Sequence, residues 1–136
     1  MTVENPRNRP LVVFLVDEDP AVGTTLTETL RSSGCEVRTF QSGRELVAHR
    51  PETPPDVVIT EYMVGPIDGL KVAAWTHHAY PEARVIMITG SARVVEHFAG
   101  NHLPFPVMEK PLSSAALIAA VHGFDLDEPM QGTWIA

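Results

Sequence analysis

The feature that most restricts the fold is a set of short runs in which every consecutive residue is apolar. Residues 11–16 (LVVFLV) form the first, and residues 57–59 and 85–88 form two more inside the segments 56–60 and 84–89. A strand exposed on one face alternates apolar with polar residues, so an unbroken run requires cover on both faces. Helices flanking a parallel sheet give that cover, because parallel strands need long crossover connections. The runs are too short for a membrane span, which takes about 20 apolar residues in helical form. Membrane insertion is excluded on this reading.

The stretches between the runs carry helix signals. Asp19 can cap free amides and Pro20 suits a first turn, while Val22, Leu26 and Leu30 recur every fourth residue until Gly34 supplies a stop. Residues 35–40 alternate weakly and read as a second strand. Ser42 and Glu45 then have capping-box spacing for a short helix through Arg50. The segment 51–55 holds three prolines and must be a connection. The third strand, 56–60, leads through a loop (61–68) to Gly69 and a helix to about Tyr80, and residues 84–89 are a fourth strand. A less regular helix over 90–100 follows, Pro104 and Pro106 interrupt, a short fifth strand ends near Glu109, and residues 112–122 are the last helix. Residues 1–10 read as a flexible lead-in, 11–123 as the domain and 124–136 as a tail.

Five strands alternating with five helices imply right-handed crossovers and an α/β, doubly wound parallel sheet. In such sheets the working site lies beyond the carboxyl ends of the strands. That rule selects Asp17, Glu18, Glu61, Thr89 and Lys110, each beside the end of a predicted strand. Three carboxylates offer the hard oxygens that Mg²⁺ prefers. The lysine can neutralise an anion or pair with an acid, and Thr89 before Gly90 puts a donor beside open backbone, suited to a phosphoryl oxygen.

At 136 residues the chain suits one domain. Its 17 acids against 10 Lys and Arg give a net charge of −7, which opposes binding to nucleic acid or anionic lipid. The lone Cys35 cannot form an internal disulfide and the first residues do not read as a secretory leader, so a cytoplasmic location is expected.

Four segments now combine: Val16-Asp17-Glu18-Asp19-Pro20, residues 56–70, Ile88-Thr89-Gly90 and Glu109-Lys110-Pro111. In this order and spacing they resemble the receiver domain of two-component response regulators, over residues 11–123. The resemblance implies a flavodoxin-like five-stranded sheet of order 2-1-3-4-5. It makes Asp17 and Glu18 the acidic pair of a candidate Mg²⁺ pocket, with Met63 at its edge, Thr89 the switch hydroxyl and Lys110 the lysine that contacts a phosphoryl group. It also implies a cis peptide before Pro111. The implied partners are a histidine kinase, a downstream regulator or a second copy of the chain, the last through the face of the fourth helix, fifth strand and fifth helix. No enzymatic activity is expected.

The departure from the family pattern is at the phosphoacceptor. That position, seven residues before Asp68-Gly69, holds Glu61 in place of aspartate. The added methylene moves the carboxylate outward by about 1.5 Å, into the space of an incoming phosphoryl group. In-line transfer depends on position, and an error of about 1 Å can cost roughly 10²-fold in rate. The expected function is therefore a pseudo-receiver acting by protein contacts without phosphorylation. Val107 stands where a switch aromatic is expected, with Phe105 nearby, and Met63-Val64-Gly65-Pro66 alters the usual turn. The alternatives are a phosphorylation-competent receiver, a haloacid-dehalogenase-like phosphatase, which lacks its second acidic pair, and a flavin module, whose Gly-rich loop is missing. The plainer expectations are an ion pair for Lys110 with Glu61 or Asp17, surface imidazoles for His77, His78, His97 and His102, and packing for Cys35 and Trp75. Phe98 reads as core or, if exposed, as a docking residue.

Overall fold

Alternation along the chain becomes layering across a sheet. The computed structural model describes residues 9–49, 53–63, 68–98 and 103–123. Among them the order is β1 (Val12–Val16), α1 (Pro20–Ser32), β2 (Glu36–Phe40), α2 (Gly43–Ala48), β3 (Val57–Glu61), α3 (Gly69–Ala79), β4 (Arg84–Thr89), α4 (Ala92–Phe98), β5 (Val107–Glu109) and α5 (Ser114–His122). Every strand pairing is parallel, in the order β2-β1-β3-β4-β5. This is the flavodoxin-like, doubly wound arrangement expected from the sequence.

The apolar runs are covered on both faces. All five residues of β1 are buried. Val13 and Leu15 pack with Leu26 and Leu30 of α1 and Leu117 and Val121 of α5, while Val12, Phe14 and Val16 meet Leu46 of α2 and Val72 of α3 on the other face. A third group joins Val85, Met87 and Val107 to Phe98 and Phe105. Burying each large apolar side chain contributes about 1.5–3 kcal/mol, so the two-sided run is the strongest local determinant of the sheet.

The caps stand where side-chain chemistry put them. Asp19 accepts from the Ala21 amide at 3.0 Å, Ser42 from that of Glu45 at 3.1 Å, and Ser113 from that of Ala116 at 3.0 Å. The return arm of the Ser42–Glu45 box reaches one residue further back, since Glu45 accepts from the Gln41 amide at 3.2 Å. Gly34, at φ 95°, reverses the chain after α1 in a conformation that Cβ-bearing residues avoid.

The structure moves several of the expected boundaries and roles. Glu61 closes β3 instead of following it, because its backbone still pairs in register with Ile88. The helix read over 112–122 begins at Ser114, since Ser113 takes the cap. Phe98 is only 6% exposed and its ring lies 5.6 Å from that of Tyr62, edge to face, so it is core and not a docking residue. His77, His78 and His97 are exposed, as expected of surface imidazoles. Residues 1–8 of the expected lead-in (1–10), the expected tail 124–136, Arg50, His102 and Val64, Gly65 and Pro66 of the altered turn lie outside the described residues.

The amino ends of the strands are closed by polar ties that the sequence did not announce. Asp56, 8% exposed, accepts from Arg9 Nη2 and Nη1 at 2.8 and 2.9 Å and from the Val12 amide at 2.8 Å. Arg84 donates to the carbonyls of Ala120, at 2.9 Å, and Val121, tying β4 to the last turn of α5. His122 Nε2 lies 3.0 Å from Ser33 Oγ and 3.5 Å from Cys35 Sγ. Burial pushes the Cys35 thiol up, the behaviour of a packed thiol. No helix among the described residues is long and apolar enough to cross a membrane.

Candidate functional site

Parallel strands end together on one side of the sheet, and that shared end gathers the charged residues. Val16 of β1 is level with Thr60 of β3, and Thr89 of β4 with Glu109 of β5. The residues at or just beyond these points are Asp17, Glu61, Thr89 and Lys110. Asp17 and Lys110 are set by backbone hydrogen bonds: Asp17 N–H donates to the Phe40 carbonyl at 3.0 Å, and Lys110 N–H donates to that of Thr89 at 2.7 Å.

Lys110 unites the cluster. Its ammonium donates to Glu61 Oε1 at 2.8 Å and to Asp17 Oδ2 at 3.1 Å. Asp17 is 4% exposed, and its second oxygen, Oδ1, accepts from the Asp19 amide at 2.8 Å. One carboxylate thus holds the lysine with one oxygen and the start of α1 with the other. Burial raises the Glu61 carboxyl above the usual glutamate range, and repulsion from Asp17 adds to this while Lys110 opposes it. For Lys110, burial disfavours the charge, but the hydrogen bonds and attraction of Glu61 and Asp17 outweigh it and hold the amine above its usual range.

Gly69 brings the loop after β3 against the site. A Cβ at this position would stand 2.6 Å from the Glu61 carbonyl oxygen and 2.9 Å from Tyr62 Cα, both backbone atoms. Asp68, which precedes it, caps α3 by accepting from the Lys71 amide at 3.0 Å. The sequence used Asp68-Gly69 only to fix the register; the close approach has no sequence signal beyond the glycine itself.

The other sequence-selected residues fall around this centre. Thr89 is buried, and its hydroxyl accepts from the Ser91 amide at 3.1 Å, at the start of α4. Glu18 is exposed and enters none of the contacts among the described residues. Met63 is 62% exposed, Val107 and Phe105 are buried, and the peptide before Pro111 is cis. Among the described residues no three of His, Cys, Asp or Glu are arranged to hold a metal ion. The Lys110 ammonium already contacts both Asp17 and Glu61, so a divalent cation on the same oxygens would face a like charge, and the acids as arranged do not fit one.

A sheet of order β2-β1-β3-β4-β5 with acids and a lysine at its carboxyl rim defines a class. The chain belongs to the response regulator receiver domain family, whose model matches residues 13–122. It is 32% identical over 112 residues to the C4-dicarboxylate transport transcriptional regulatory protein DctD of Pseudomonas aeruginosa, covering 80% of this chain and 24% of that one. It is 26% identical over 115 residues to the transcriptional regulatory protein TrcR of Mycobacterium tuberculosis, covering 84% and 45%. The chain therefore spans less than half the length of these relatives. Among solved structures, a response regulator receiver protein from Sinorhizobium medicae is 28% identical with a TM-score of 0.72, covering 84% of this chain and 93% of that one. The BeF3-activated DrrB receiver domain of Thermotoga maritima, 24% identical, matches in fold with a TM-score of 0.70, over 88% and 99%.

Proposed function

We propose that this chain is a receiver module of two-component signalling that works by protein contact without accepting phosphate, with Glu61 at the phosphoacceptor position. The observation that carries the reading is the 2.8 Å ion pair between Glu61 Oε1 and Lys110 Nζ, which closes the end of β3. A glutamate there extends about 1.5 Å further than aspartate and meets the lysine directly. The cation that would contact a phosphoryl group is consumed by the side chain that would have to receive it. Asp17 holds the same lysine from the other side at 3.1 Å.

The working unit on this reading is residues 11–123, flanked by 1–10 and 124–136, in the cytoplasm. Its partner is a histidine kinase, a downstream regulator or a second copy, engaged through α4, β5 and α5. Regulators such as DctD and TrcR carry the matching region within longer chains. Thr89, buried and turned to the Ser91 amide, and Val107, buried in β5, serve here as packing around a fixed site and not as a moving relay.

The test is to incubate the protein with acetyl phosphate and Mg²⁺ and measure its intact mass. No adduct is expected on the wild type, and Glu61→Asp is expected to gain one. A stable phosphoryl adduct mapped to Glu61 refutes the reading and makes the chain a phosphorylation-competent receiver.

A further inference from the structure

We propose that the Lys110 ammonium is the resident cation of this site and keeps Mg²⁺ out of the wild-type protein. The inference rests on the reading of Glu61 given above and extends it to the metal that the receiver family implies.

Three of the four carboxylate oxygens of Asp17 and Glu61 are accounted for inside the protein. Asp17 Oδ1 accepts from the Asp19 amide, and Asp17 Oδ2 and Glu61 Oε1 accept from Lys110. Mg²⁺ requires near-octahedral oxygen donors and gives up water reluctantly, and to use these oxygens it would have to share them with the ammonium beside it. Lys110 is poorly placed to leave. Its own N–H is tied to Thr89 at 2.7 Å, its side chain is 19% exposed, and its charge is shared between two acids. Glu18, the remaining member of the acidic pair, is exposed and adds no contact to the cluster among the described residues.

The glutamate is what makes the arrangement self-sufficient. An aspartate at position 61 would end about 1.5 Å short, loosening the 2.8 Å contact with Lys110. With glutamate, one ammonium touches both acids and cuts the formal charge of the group from −2 to −1 without an outside ion. A doubly charged ion entering beside the ammonium meets repulsion worth at least roughly tenfold in affinity, even with the dielectric constant of water.

Removing the ammonium while keeping the acids should then create a divalent-cation site. Mn²⁺ is the probe, followed by loss of the free-ion electron paramagnetic resonance signal and by calorimetry. The wild type is expected to show no saturable binding at millimolar Mn²⁺. Lys110→Met and Lys110→Gln are each expected to bind it at least roughly tenfold more tightly, and Asp17→Asn added to either should abolish that gain. Saturable wild-type binding as tight as that of the variants overturns the proposal, whether or not one of the variants folds poorly. Folded variants that bind no Mn²⁺ overturn it as well, since the acids would then lack a latent site. The two readings separate cleanly. A phosphoryl adduct on Glu61 with a flat wild-type titration sinks only the first, and saturable wild-type binding without an adduct sinks only the second.

Discussion

Gly69→Ala probes the junction between α3 and the charged rim. The new methyl would sit 2.6 Å from the Glu61 carbonyl oxygen and 2.9 Å from Tyr62 Cα, and 3.1 Å from Met87 Cε. The methionine tip can swing aside; the two backbone atoms cannot. Carbon atoms rest at about 3.5 Å or more, so α3 must withdraw from β3 by roughly 0.6 Å. The 2.7 Å bond from the Gly69 amide to the Tyr62 carbonyl spans the same gap and would stretch past the usual limit of about 3.2 Å. Overpacking costs about 1–3 kcal/mol and the weakened bond up to about 1, while alanine's better helix propensity returns at most about 1. The net loss should be about 2 kcal/mol, or a fall in melting temperature of roughly 10 °C for a domain of this size. Scanning calorimetry at neutral pH reads it directly. Gly90→Ala is the control, because a Cβ there meets nothing within 4 Å, and it should melt close to the parent. A Gly69→Ala protein as stable as the Gly90→Ala control would refute the argument from close approach.

Three further outcomes are expected. Asp56→Ala strips the buried Val12 amide of its 2.8 Å acceptor and should cost about 2 kcal/mol, with little added for the half-exposed Arg9 pair; urea titrations with a midpoint equal to that of the parent would contradict this. His122 has its pKa lowered by burial, with Arg84 contributing, so the fold prefers the neutral ring; its contribution to stability is complete above the ordinary value of 6.5 and is lost as pH falls from there toward the folded value. His122→Gln should flatten that slope, and an NMR titration placing the His122 midpoint at or above the ordinary value would defeat the prediction. Cys35, buried and with its thiol pKa pushed up, should react with an aromatic disulfide reagent only as fast as the protein opens, so the rate should climb with urea; a fast, urea-independent rate would show an accessible thiol.

The legible part of this molecule was the part governed by short-range rules. Continuous apolar runs gave three of the strands because two-sided burial leaves few other readings, and Asp19 and Ser42 marked helix starts because their oxygens cap the next amides. The gathering of Asp17, Glu61 and Lys110 was legible through topology, since parallel strands must finish on one side. Ties between distant segments were not. Nothing in Arg9 tells that its guanidinium reaches Asp56, 47 residues on, and Ser33 meeting His122 depends on where α5 ends against the turn after α1. Phe98 was ambiguous because a seven-residue helix has too few turns to define a buried face; only Tyr62 across from it decides the matter.

Lys110 also has a mechanical consequence. It extends from β5, a three-residue strand at the margin of the sheet, and grips side chains at the ends of β3 and β1, two and three places inward. A force that peeled this margin away would have to break both charged contacts as well as the backbone ladder. By reciprocity, any change that neutralised Glu61 would slacken the margin by the same free energy. The chemistry of one central carboxylate and the stiffness of a distant border are therefore a single property of this molecule.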